Sequence, residues 1–120
     1  MTRVLAVDDS PSMRDMLRVA LTGAGFEVTQ AKDATDALQL ARQSSFDVVL
    51  SDVNMPGMDG IGLIRALRAE AAYRYTPILM LTTEGSEARK REGKEAGATG
   101  WIVKPFDPGQ LVATLLRVLR

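Results

Sequence analysis

Four short stretches of this chain carry side chains suited to handling a phosphoryl group: "VDDS" with Asp8 and Asp9, "LSD" with Asp52, "LTT" with Thr82 and Thr83, and "VKP" with Lys104. Asp8 and Asp9 stand side by side where an apolar run ends, so their like charges repel. With Asp52 brought close, three uncompensated carboxylates would raise one another's pKa and destabilise the fold. A hard divalent cation removes that conflict. Magnesium suits best, because it takes one or two carboxylates, keeps several waters and bridges to phosphate oxygens. A carboxylate is also a recognised nucleophile for covalent phosphoryl uptake. Such a transfer needs in-line positioning and neutralisation of the equatorial oxygens, which Lys104 and a threonine hydroxyl would share with the cation. Each residue also has a plainer reading: a helix cap for Asp9, turn chemistry for Asp52, a β-branched strand position for Thr82, a solvated lysine beside Asp107 for Lys104. Their coincidence at one edge is what favours the chemistry.

That coincidence depends on the elements that place them. Apolar runs alternate with helical patterns five times. The candidate strands are "RVLAV" from Arg3, "FEVTQ" from Phe26, "FDVVLS" from Phe46, "PILMLT" from Pro77 and "GWIVK" from Gly100. The first helix has Ser10 as cap, Pro11 at its first position, and Met13, Met16, Leu17, Ala20 and Leu21 as its apolar stripe, with Gly23 and Gly25 to stop it. The second starts near Asp33 and buries Ala34, Ala37, Leu38 and Ala41; the third follows Asp59 with Leu63, Ile64 and Leu67. A fourth spans roughly residues 86 to 96, and the last opens at Asp107-Pro108 with Leu111, Val112, Leu115 and Leu119. Strands alternating with helices imply right-handed crossovers and a doubly wound parallel sheet. The continuously apolar "VVL" and "ILML" suit its buried centre. The expected fold is α/β, a (βα)5 five-stranded sheet in the flavodoxin-like order 2-1-3-4-5, one domain over residues 1–120. Ligands in such sheets bind at the carboxyl ends of the strands, between strands 1 and 3, where all four stretches end.

Composition narrows the function. Lysine plus arginine and aspartate plus glutamate both number 15, so the net charge is zero and no nucleic-acid or anionic-membrane surface is expected. With no cysteine and no histidine, disulfides, thiolate sites and imidazole chemistry are excluded. No apolar run approaches the length of a membrane span and no signal-peptide pattern opens the chain, so a cytoplasmic monomer is the expectation.

Taken together, "VDDS", "LSDVNMPGMDG", "LTTEG" and "VKPF" resemble, in order and spacing, the signature blocks of response-regulator receiver domains. The resemblance covers essentially the whole chain and implies a CheY-like fold. It implies that Asp52 is the phosphoacceptor, that Asp8, Asp9, Asp52 and the Asn54 backbone carbonyl hold Mg²⁺, and that Thr82 and Lys104 bind the phosphoryl group. It makes the Lys104-Pro105 peptide cis, and Asn54 and Glu84 the positions that tune phosphoryl lifetime. Self-phosphorylation and autodephosphorylation, both Mg²⁺-dependent, would follow as in the family. "DVNMPGMDG" and Glu84 are similar to chemotaxis receivers of the CheY type, and the last helix reaches Arg120 with no DNA-binding module after it. A CheA-type histidine kinase would then be the donor, a flagellar motor switch protein the target and a phosphatase a further partner; the alternative is a phosphate sink or a non-flagellar target.

Two features are particular to this chain. The family's switch aromatic on strand 5 is usually tyrosine or phenylalanine, and here it is Trp101. The fourth helix, "SEARKREGKEAGA", has few apolar anchors, mainly Ala88 and Ala96, and an interior Gly93. A marginal helix beside the acidic edge is a candidate for the element that shifts. An output face is therefore expected over residues 85–94 with Trp101 and Val103, including Glu87, Lys90 and Lys94. Two rival classes fit poorly. An FMN carrier needs a hydroxyl- and glycine-rich loop after strand 1, where this chain has "DDSPS"; a haloacid-dehalogenase-type phosphohydrolase needs D-x-D there, where it has adjacent aspartates.

Overall fold

The alternation of apolar runs and amphipathic stretches resolves, in the computed structural model, into β1 (Arg3–Val7), α1 (Pro11–Gly23), β2 (Glu27–Ala31), α2 (Ala34–Gln43), β3 (Val48–Asp52), α3 (Gly60–Arg68), β4 (Ile78–Thr82), α4 (Glu87–Ala96), β5 (Gly100–Val103) and α5 (Pro108–Val118). The structure describes residues 1–55, 57–83 and 87–119. The strands form one parallel sheet in the order β2-β1-β3-β4-β5, as expected. A short 3₁₀ turn at Ala71–Tyr73, not foreseen, joins α3 to β4.

Helix starts follow local chemistry. Ser10, Asp33, Asp59 and Asp107 each accept a hydrogen bond from the backbone N–H three residues on, satisfying a donor the helix leaves orphaned. Ser10 therefore takes the cap, and Asp9 is left exposed beside it. Asp107 likewise accepts from the Gln110 N–H at 3.0 Å at the start of its own helix, while Lys104 pairs with Asp8 and Asp52.

The sheet buries both faces. On one, α2, α3 and α4 cover Leu5, Val7, Val49 and Met80. On the other, Leu17 and Leu21 of α1 and Leu111 and Leu115 of α5 cover Val4, Ala6, Leu50, Leu79 and Leu81. Two anchors stand differently from expectation. Met16 is exposed, because Met13, Leu17, Ala20 and Leu21 already complete the stripe, and at 3.6 residues per turn Met16 falls about 100° round from Leu17. On α4, Ala88 is exposed and the contact with the sheet is made by Gly93 and Ala96. A Cβ on Gly93 would overlap Met80 Sδ and Cε, so this glycine sets how closely α4 approaches β4.

Candidate functional site

Side chains alternate along a strand, so register decides which carboxylates can meet. Ala6 pairs with Leu50, and Asp52 with Leu81, and all three apolar residues lie on the α1/α5 face. Continuing the alternation puts Asp8, Asp52 and Lys104 on that same side, at the carboxyl edge. The ladder reaches past the strand ends to hold them: the Asp8 N–H donates to Ala31 O at 3.1 Å and the Lys104 N–H to Thr82 O at 2.7 Å.

Asp8 is fully buried and densely bonded. Its Oδ1 accepts from the Ser10 N–H at 2.9 Å and its Oδ2 from Lys104 Nζ at 2.9 Å. Arg14, which no sequence signal marked, reaches back one turn and a half to donate from Nη1 to the Asp8 carbonyl at 2.8 Å. Lys104 Nζ also lies 3.4 Å from Asp52 Oδ1, so one half-buried ammonium bridges the two buried carboxylates. The Lys104-Pro105 peptide is cis, in agreement with the resemblance. Asp9 completes the cluster from the exposed side. One oxygen each of Asp8, Asp9 and Asp52 lies within 4.8 Å of the others.

Three carboxylates and one lysine leave a net negative pocket of hard oxygen donors, which suits an oxygen-seeking divalent cation. Burial pushes the Asp52 carboxyl above the usual carboxylate range. Lys104 opposes that rise, Asp8 reinforces it, and the Asn54 backbone N–H also holds it down. The loop beyond β3 is tightly placed. The Gly60 N–H donates to Val53 O at 2.9 Å, and a Cβ on Gly60 would overlap the backbone carbonyl of Asp52. That close approach explains the glycine after Asp59 in "MDG", a signal present in the sequence but not used.

Thr82 is buried and Thr83 exposed. Thr82 pairs in register with Val103, and Met80 with Trp101, so Thr82 and Trp101 are diagonal neighbours on the α2–α4 face of the sheet. Asn54 is exposed above the cluster. Glu84 and the part of the output face at residues 85 and 86 lie outside the described residues. Of the rest of that face, Glu87, Lys90, Lys94 and Trp101 line one groove, and Val103 lines a second groove against α5.

The family profile described as "Response regulator receiver domain" matches residues 4–116. The solved structure of the chemotaxis protein CheY4 of Vibrio cholerae is 54% identical, with a TM-score of 0.96 over 98% of each chain. The chemotaxis protein CheY of Pseudomonas aeruginosa is 41% identical over 87% of this chain and 85% of its own length. The transcriptional regulatory protein ResD of Bacillus subtilis is 38% identical over 99% of this chain, which spans 48% of that relative's length.

Proposed function

We propose that this chain, which belongs to the response regulator receiver domain family, takes a phosphoryl group on Asp52 from the phosphohistidine of a kinase and thereby changes its affinity for another protein. The observation that carries this is the bridge of Lys104 between Asp8 and Asp52, with Asp9 at the mouth. An Asp52 carboxylate oxygen attacks phosphorus, the P–N bond breaks and neutral imidazole leaves with a proton from solvent. Lys104 swings its ammonium from Asp52 towards the phosphoryl oxygens while remaining bound to Asp8. Thr82 donates its hydroxyl to one of those oxygens. Asp8, Asp9, Asp52 and the Asn54 carbonyl would hold Mg²⁺, which when bound supplies neutralising charge to the phosphoryl oxygens. Water attack on the phosphorus later restores the carboxylate and releases inorganic phosphate; Asn54 and Glu84 tune how fast that happens.

The downstream role we favour is that of a chemotaxis receiver, with a CheA-type kinase, a flagellar motor switch protein and a phosphatase as partners in the cytoplasm. The 54% identity with CheY4 supports it. No helix among the described residues is long and apolar enough to cross a membrane. The 38% identity with ResD, close to the 41% with the Pseudomonas aeruginosa CheY, favours a second reading, a receiver acting as a phosphate sink or on a non-flagellar target. On either reading, Thr82 moving towards the phosphoryl group draws Trp101 inward, and α4 with Trp101 and Val103 forms the output face.

Mass spectrometry after incubation with Mg²⁺ and a small acyl phosphate tests the chemistry: one phosphoryl adduct in the wild type and none in Asp52→Asn. No adduct in the wild type defeats the reading. Capture by the motor switch protein only when phosphorylated selects chemotaxis; no capture in either state selects the second role.

A further inference from the structure

The Trp101 ring stands 37% exposed on an edge strand, and it lines both grooves of this face. On one side are Glu87, Lys90, Arg91 and Lys94 of α4; on the other, Gln110, Thr114 and Arg117 of α5. The ring is thus the wall between them, and moving it inward would merge two grooves into one trough. Lys90 Nζ lies 5.2 Å from the ring centroid, within the range of a cation–π attraction. Glu87 sits three residues before Lys90 on the same helix, spacing that suits an ion pair. Yet among the described residues Lys90 has no carboxylate partner, and the ring is the contact its ammonium makes. Arg89, the neighbour on α4, is turned away to Asp59 and Glu92.

We propose that Lys90 is a positioning residue for Trp101, whose ammonium holds the ring at the surface and so opposes the inward state. This rests on the reading of Trp101 as the element that follows Thr82. A contact made in only one of two conformers biases their equilibrium by its own free energy, and the same bias appears in the affinity of any ligand selecting the other conformer. An exposed cation–π contact corresponds to a bias of about two- to five-fold. The Lys90 contact is therefore a set-point: it fixes how much phosphoryl occupancy is needed to move the ring.

The test uses the full chain, in which Trp101 is the single tryptophan. Lys90→Met keeps length and bulk but removes the charge, Lys90→Arg keeps a cation over the ring, and Lys94→Met removes a charge from the same groove without touching the stack. In metal-free buffer, Lys90→Met should lower acrylamide quenching of Trp101 and shift its emission to shorter wavelength, while the other two match the wild type. With saturating Mg²⁺, titration with beryllium fluoride as phosphoryl analogue should reach half-saturation at an about two- to five-fold lower concentration in Lys90→Met. The proposal is overturned if Lys90→Met equals Lys94→Met in both measurements, or if its quenching rises, since the lysine would then be only a cover over a fixed ring. If wild-type fluorescence ignores beryllium fluoride altogether, it is the aspartyl-phosphate reading that falls, and the quenching comparison still decides the role of Lys90.

Discussion

Asp52 carries a conflict that its neighbours only partly resolve. Burial raises its pKa, and Lys104 opposes the rise without reversing it. A group whose folded pKa lies above its unfolded one binds its proton more tightly in the native state. Its contribution to stability is complete below the unfolded pKa and is lost as pH rises through the folded value. In metal-free buffer, Asp52→Asn should therefore match the wild type in thermal stability near pH 4 and exceed it increasingly towards neutrality, as followed by melting curves across that range. A constant difference at every pH would contradict the assigned cause. Lys104 gives the complementary experiment. Removing one partner of a buried ion pair costs about 3–5 kcal/mol, because the charge left behind is unpaired. Asp8 is that charge, so Lys104→Met should lose stability of this order in urea unfolding without metal, and Mg²⁺ should restore part of it. The residue types at this site were legible because carboxylates, hydroxyls and a lysine stand at the strand ends, whereas the difference in burial between Thr82 and Thr83 came only with the fold. Arg14 was not, since its role is a reach from α1 back to the Asp8 carbonyl that neither spacing nor type announces.

Elements divide the same way between what pattern shows and what packing decides. The cap at Ser10, the helix starts at Asp33, Asp59 and Asp107, and the buried stripes of α2 and α3 follow from local rules and stand as read. Met16 and Ala88 fail because helical periodicity names a face but not its width. Gly93 reads in sequence as a helix weakness, whereas packing makes it the point where α4 meets Met80. Two glycine substitutions separate these ideas. Gly93→Ala gains about 1 kcal/mol of helix propensity and meets the end of a methionine, a side chain that re-packs readily, so its net loss should be about 1 kcal/mol or less. Gly60→Ala meets the Asp52 carbonyl and Val53 Cα, which cannot step aside. It should cost about 3 kcal/mol and, on the proposed role of Asp52, also slow uptake of phosphoryl from an acyl phosphate, because the displaced atoms belong to that residue. Urea unfolding with the uptake rate checks both; equal losses for the two glycines would mean that backbone approach is not what fixes the loop.

At the scale of the whole molecule, the zero net charge conceals an acidic crevice in which three carboxylates meet and one lysine pairs with two of them. The topology brings the ends of β1 and β3 together, so the charge repulsion is imposed by folding and relieved on unfolding. A divalent cation held by Asp8, Asp9 and Asp52 would reverse that balance, binding the folded chain and not the extended one. Binding stabilises by RT ln(1 + [L]/Kd), about 2.7 kcal/mol at a hundredfold excess over Kd. For a domain of this size that is a rise in melting temperature of roughly 10 °C. Mg²⁺ should produce it reversibly, with a chelator abolishing it. Asp9→Asn should remove most of the rise while leaving the metal-free melting temperature nearly unchanged, because Asp9 is exposed and makes its contribution only through the ion. Asp8→Asn should also remove the rise, but it should lower the metal-free value as well, since it takes away the buried partner of Lys104. Monovalent salt at equal ionic strength should reproduce little of the effect, because screening reaches buried pairs weakly. A melting temperature that ignores Mg²⁺ would leave the crevice a structural knot of one lysine and two aspartates, with Asp9 idle at its rim.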